Sequence, residues 1–242
     1  MTGSLDPSSA TFLLCDADGT LFPSEEPAYA ASADVTNRFL AHLGAERPYT
    51  PTELQAMTNG KNFRGAATEL SAGYGRELVP ADLDRWVAEE KDVVTAHLRT
   101  MLRPDPQVQD ALRRLIGRFK LAAVTSRALS RLGACLEVTD LASLFPVDRR
   151  FSAEDSLPEP TSKPDPAVYA LAGRQLGITP NEAIAIEDSV NGALSAVAAG
   201  YPTVGTVVFV PPEYREQRIA ALREAGVTEV VTSWLELADL LL

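Results

Sequence analysis

Residues 12–22 read Phe12-Leu13-Leu14-Cys15-Asp16-Ala17-Asp18-Gly19-Thr20-Leu21-Phe22, and this stretch decides the fold. A short apolar run without polar alternation reads as a strand buried on both faces, as in a parallel sheet covered by helices. It stops at two carboxylates one residue apart. In open α/β sheets, ligands bind beyond the carboxyl ends of the strands, so Asp16 and Asp18 are expected at such a lip, with Gly19 allowing a sharp turn. Side chains two apart on an extended segment point the same way. Two carboxylates so placed repel unless a cation or a shared proton holds them, which leaves a Mg²⁺ site, an acid/base pair, or both. An ordinary Asp-Gly turn after a strand is the plain alternative.

Working outward, the rest of the chain separates into two regimes. From Pro23 to Arg103 only helical signals occur. Apolar spacing predicts helices over 28–43, 63–74 and 80–102. A further helix is expected to open with Thr52 and Gln55 as a capping box and to end at Asn59-Gly60. Four successive helices are too many for one crossover, so residues 23–103 are expected to form an inserted all-helical cap. From Val108 the pattern alternates. Strands are expected at 11–16, 119–124, 150–152, 183–186, 203–210 and 229–231, with helices at 108–116, 128–138, 167–176, 192–199, 213–225 and 234–242. Strands alternating with helices imply an α/β fold with a doubly wound parallel sheet. The expected core is therefore residues 11–22 and 104–242, with residues 1–10 as a loose polar tail.

Bulk properties narrow the function. The 242 residues carry a net charge of −11, with 45% apolar and 23% charged residues. Such a chain lacks the electrostatic footprint of a nucleic-acid or anionic-membrane binder. A phosphate site would have to be made locally, from a metal, a lysine and backbone N–H groups. No apolar stretch is long enough to span a membrane, and the first ten residues do not read as a signal peptide. Two cysteines give no disulfide framework, and Cys15, inside an apolar run, reads as a small buried hydrophobe. A cytoplasmic, monomeric protein is expected.

Three further strings sit at expected strand tips. Ala123-Val124-Thr125-Ser126-Arg127 puts hydroxyls where a helix start offers N–H groups, a cradle for phosphate oxygens or else simply a helix cap. Thr161-Ser162-Lys163-Pro164-Asp165-Pro166 fixes a lysine just before a helix. Ile186-Glu187-Asp188-Ser189-Val190-Asn191-Gly192 ends a strand in a second carboxylate pair. A helix N-cap with favourable acidic charge is one reading of that pair. A second acidic cluster beside Asp16 and Asp18 would add repulsion, and a hard divalent cation with oxygen ligands resolves it.

With Asp16-x-Asp18-Gly19-Thr20-Leu21 first and these three in order, the chain from about residue 11 onward resembles the haloacid dehalogenase superfamily, in its β-phosphoglucomutase-like and phosphatase branch with a helical cap. The resemblance implies a Rossmann-like core and a Mg²⁺-dependent phosphatase of small organic phosphate monoesters, such as sugar or polyol phosphates. In it Asp16 is the nucleophile, forming an aspartyl-phosphate, and Asp18 the general acid/base. Thr125, Ser126 and Lys163 hold the phosphate. Asp16, Asp18 and Asp188 hold the metal, Glu187 being either a further ligand or a support behind them. The carboxylate of Asp18 argues against dehalogenation. A hexose-phosphate mutase is the alternative, weakened because Ala28 stands where mutases of this branch carry a His, and Pro23 where an Asp is common. Specificity is expected in the cap, where Lys61 and Arg64 are candidates for touching the substrate.

Overall fold

The computed structural model describes residues 5, 7–58 and 63–242, the side chains at 55, 56 and 58 excepted. Six strands form one sheet: β1 (Phe12–Cys15), β2 (Lys120–Thr125), β3 (Arg150–Ser152), β4 (Ala183–Glu187), β5 (Thr203–Thr206) and β6 (Glu229–Val231). Their order is β3-β2-β1-β4-β5-β6 and every pairing is parallel. This is the doubly wound order of a Rossmann-like sheet. The chain first winds outward from β1 through β2 to β3, then returns to start β4 on the other side of β1. The crevice at that reversal lies beyond the tips of β1, β2 and β4.

The central strands are apolar because both faces are covered. All of β1 and β4 is buried, as is β2 after Lys120. Helices α5 (Pro106–Leu115), α6 (Leu129–Val138), α7 (Ala167–Leu176), α8 (Val190–Ala198), α9 (Pro212–Glu224) and α10 (Trp234–Leu241) supply the cover. On one face Phe12, Leu14, Val124 and Phe151 pack with Val168, Tyr169 and Ala172 of α7. β5 is shorter than the 203–210 that its apolar residues predict. The Val207 N–H still reaches the Val231 carbonyl, but Val210 N–H then bonds back to Val207, turning the chain. Val207 and Val210 are apolar because they pack with Leu222 and Val227, not because they extend the strand.

The chain divides into two compact units, Met1–Pro23 with Leu102–Leu242, and Ser24–Met101. The second is all helical among the described residues: α1 (Glu25–Leu43), α2 (Pro51–Thr58), α3 (Phe63–Gly73) and α4 (Pro80–Met101). It has its own core of Val35, Phe39, Leu40, Leu54, Phe63, Leu70 and Trp86, with the Phe39 and Trp86 rings edge-on at 5.6 Å. The capping box of α2 differs from the expected Thr52–Gln55. Thr50 N–H donates to Glu53 Oε2 at 2.7 Å, and Glu53 N–H donates to Thr50 Oγ1 at 3.2 Å. Pro51 takes the first helical position, which its fixed φ suits, so the cap falls on the residue before it. Asn59, Gly60 and Lys61 lie outside the described residues.

Candidate active site

β1 delivers Asp16 one residue past its end, where the Asp16 N–H still donates to the Ile186 carbonyl of β4 at 2.9 Å. The chain then turns. Leu21 N–H bonds to Ala17 O at 2.9 Å and Gly19 N–H to Phe22 O at 3.0 Å. Gly19 has φ +82°, and a Cβ there would fall 2.3 Å from Asp188 Oδ2. Only glycine meets both the left-handed backbone and the close approach. The turn is tied down by the Trp234 indole, which donates to Thr20 O at 2.9 Å, and by Thr20 Oγ1, 3.3 Å from Asp188 Oδ1.

Lys163 reaches the same point from the loop before α7. Its ammonium donates to Asp16 Oδ1 at 2.5 Å, to Glu187 Oε1 at 2.7 Å and to the Val124 carbonyl at 2.7 Å. The three acceptors use its three hydrogens. The Lys163 side chain is 5% exposed and that of Glu187 fully buried, so these are desolvated charges that hold only because they are paired. Glu187 Oε1 also accepts from the buried Tyr169 hydroxyl at 2.5 Å. Glu187 Oε2 has no hydrogen-bond partner. It lies over the first turn of α8, where a Cβ on Gly192 would be 1.7 Å away.

Asp188, next along, is buried, and the Arg218 guanidinium of α9 donates to its carbonyl at 2.8 Å. Carboxylate oxygens of Asp16, Glu187 and Asp188 lie within 4.8 Å of one another.

The electrostatics follow from burial. Asp16 is pushed above its ordinary pKa by desolvation, against the pull of Lys163, with Asp18 adding to the rise. Burial likewise holds Glu187 up at about 7, although Lys163 draws it down. Desolvation alone would lower Lys163, but Asp16 and Glu187 outweigh it and keep the ammonium charged. The Cys15 thiol is pushed far up by burial and by Asp16, so it remains an inert hydrophobe.

β2 brings the hydroxyls. Thr125 is buried, and its Oγ1 accepts from Arg127 N–H at 3.0 Å, which leaves the hydroxyl hydrogen to donate. Ser126 Oγ accepts from the Lys163 N–H at 3.1 Å. Half-buried Asp18 lines a hollow with Thr125.

The core strings thus meet at one end of the sheet. Arg64, in the helical unit, is exposed and ion-paired with Asp84 at 2.6 Å. Sequence reasoning missed Tyr169, Arg218 and the support from Gly192. The only local sign of Tyr169 is a hydroxyl on the otherwise apolar inner face of α7. Arg218 has none, since α9 is largely polar and exposed.

A lysine locked between carboxylates at the switch point of a parallel sheet is the setting of an enzyme that handles anionic groups. The family model for haloacid dehalogenase-like hydrolases matches residues 12–200, and the chain belongs to that family. It is similar to phosphoglycolate phosphatase of Pseudomonas putida, with 30% identity over 200 residues covering 80% of this chain and 68% of that one. Protein CbbY of Cereibacter sphaeroides is also 30% identical, over 78% of this chain and 80% of its own. Among solved structures, a HAD family hydrolase of Deinococcus radiodurans with bound phosphate and sodium superposes at a TM-score of 0.64, with 27% identity over 96% of each chain. With such relatives the chain is a phosphatase of the family. No helix among the described residues is long and apolar enough to cross a membrane.

Proposed function

We propose that the chain is a Mg²⁺-dependent phosphatase of small organic phosphate monoesters, sugar or polyol phosphates among them, working through an aspartyl-phosphate on Asp16. The observation that carries this reading is the Lys163 ammonium held 2.5 Å from Asp16 and 2.7 Å from Glu187. Asp188 is close enough for one oxygen from each carboxylate to fall within 4.8 Å.

The donor set fits a hard divalent cation. It is made of oxygens, and its three buried carboxylates carry more negative charge than one lysine neutralises. Asp16 and Asp188 would hold the ion together with Asp18, and Glu187 adds its charge while anchoring Lys163. Bound there, Mg²⁺ supplies charge neutralisation for the phosphoryl oxygens.

The chain's own residues do the rest. Asp16 attacks phosphorus in line, and the ester oxygen leaves as the aspartyl-phosphate forms. Asp18 gives the leaving oxygen its proton, then takes one from the water that hydrolyses the intermediate. Lys163 keeps the Asp16 carboxylate ionised and oriented, and its fixed charge stabilises the equatorial oxygens. The Thr125 hydroxyl and the N–H groups after β2 hold the phosphate.

The test is phosphate release from an aryl phosphate and a panel of sugar and polyol phosphates, with Mg²⁺ and with EDTA. Release is expected with Mg²⁺ and lost with EDTA. Asp16→Asn is expected to abolish turnover and leave the fold intact, and turnover retained in that variant would sink the nucleophile assignment.

A further inference from the structure

The backbone that turns from β2 into α6 is gripped, residue after residue, by the end of β3 and the connection from β3 to α7. Ala153 N–H donates to the Thr125 carbonyl at 2.9 Å. Lys163 N–H donates to Ser126 Oγ at 3.1 Å, and the buried Ser152 hydroxyl donates to the Arg127 carbonyl at 2.7 Å. Asp155 Oδ2 then accepts the Leu129 N–H at 2.6 Å. The connection is itself closed, since Thr161 N–H bonds to the Ala153 carbonyl at 3.0 Å. Ser152 Oγ also accepts the Asp155 N–H at 2.9 Å, so the Asp155 backbone is fixed to the same hydroxyl that holds Arg127.

The Asp155 bond meets a need of α6. A helix start leaves N–H groups without partners inside the helix, and a side-chain oxygen at the N-cap normally takes one. The N-cap of α6 is Ala128, whose methyl has no oxygen to offer. Asp155 supplies it from 26 residues further along the chain. A carboxylate acceptor makes that hydrogen bond charge-assisted, and negative charge is favoured at a helix N-terminus. The Asp155 residue is exposed, so it stands outside the apolar core.

We infer that Asp155 is a positioning residue for phosphate binding, acting through the Leu129 N–H on the turn after β2. The inference rests on the phosphatase reading, in which the Thr125 hydroxyl and the N–H groups of that turn hold the phosphate. With Leu129 tied to Asp155 and Arg127 to Ser152, the turn is set before the anion arrives. A turn left to order itself on binding would weaken affinity by that ordering. Asp155 itself does not hold the anion, because its charge has the same sign as the phosphate and its oxygen is engaged by Leu129. The connection that carries Asp155 also carries Lys163, so one segment places both the ammonium and the turn.

The experiment measures the inhibition constant Ki of inorganic phosphate against aryl phosphate hydrolysis, with Mg²⁺ present, together with Tm, in wild type, Asp155→Ala and Asp155→Asn. Asp155→Ala is expected to raise Ki about three- to tenfold, the size of one hydrogen bond. Asp155→Asn keeps an oxygen for the Leu129 N–H and caps about as well as Asp. Its Ki is expected to stay within about twofold of wild type. A Tm lowered in Asp155→Ala with Ki unchanged makes Asp155 an ordinary helix cap and overturns the inference, as does an alanine variant equal to wild type in both. An asparagine variant as weak as the alanine one also overturns it, because the charge and not the hydrogen bond would then carry the effect. Wild-type protein that hydrolyses no aryl phosphate overturns the phosphatase reading itself, and the role of Asp155 with it.

Discussion

Gly192 carries no side chain at a point where one has no room. A Cβ would sit 1.7 Å from Glu187 Oε2, so Gly192→Ala must push that carboxylate off Lys163 or shift α8. A loss of about 1–3 kcal/mol, the usual range for overpacking, is expected in urea unfolding, with turnover falling alongside. Full stability and full turnover would mean that the carboxylate turns aside at no cost. Tyr169→Phe removes a hydroxyl from the same buried carboxylate and is expected to cost about 1–3 kcal/mol, again read by urea unfolding.

Glu187 also sets a pH dependence in protein kept metal-free with EDTA. Its carboxyl is held up at about 7 in the fold, against 4.5 ordinarily. Between those values the folded state binds more protons than the unfolded chain, so this group's contribution weakens as pH rises from about 4.5 to 7 and is level above. The fall in Tm between pH 5 and 7.5 is expected to be smaller in Glu187→Gln than in wild type, and an equal or larger fall in the variant would contradict the assignment.

Asp16, Glu187 and Asp188 were legible in the sequence because each sits in a short string at a strand tip, and Lys163 because it stands before a proline just ahead of a helix. Tyr169 and Arg218 were not, because they act by reaching across from α7 and α9, and local pattern does not record reach.

At the scale of elements, the helical and strand signals marked where each segment lies, and their ends were set by details that periodicity does not carry. The α2 cap moved to Thr50 because Pro51 fills the first helical position. β5 ended at Thr206 because the apolar residues after it serve a different packing layer. The α2 box should have a measurable effect. Glu53 is lowered to about 2 by its bonds to Arg47 and to Thr50. Thr50→Ala removes the hydroxyl that caps Glu53 N–H and is expected to cost about 1 kcal/mol, seen as faster amide exchange in the first turn of α2. Unchanged exchange there would show the cap to be dispensable.

The whole molecule is two cores rather than one. The helical unit closes on Phe39, Phe63 and Trp86, and the sheet unit on β1, β2 and β4 with α7. Phe39 is fully buried, so Phe39→Ala is expected to cost about 3–5 kcal/mol. With separate cores, the loss need not be shared equally. Hydrogen exchange is expected to quicken across 24–101 while β1, β2 and β4 keep their protection; equal acceleration in both units would mean that they unfold as one. Composition gave no hint of this division. It was readable only from the missing strand signals between Pro23 and Arg103, because a helical insertion interrupts an alternation that otherwise runs through the chain.

The chain's two tryptophans fall one in each unit. Trp86 sits in the helical core, while the Trp234 indole is hydrogen-bonded to the Thr20 carbonyl in the turn that follows Asp16. Intrinsic fluorescence therefore carries two separable signals. In a Trp86→Phe protein all indole emission comes from a single fluorophore whose N–H is fastened to the turn after β1. Titration with Mg²⁺ or phosphate then reads that turn directly: a change in emission is the expected sign of binding there, without a label and without a substrate.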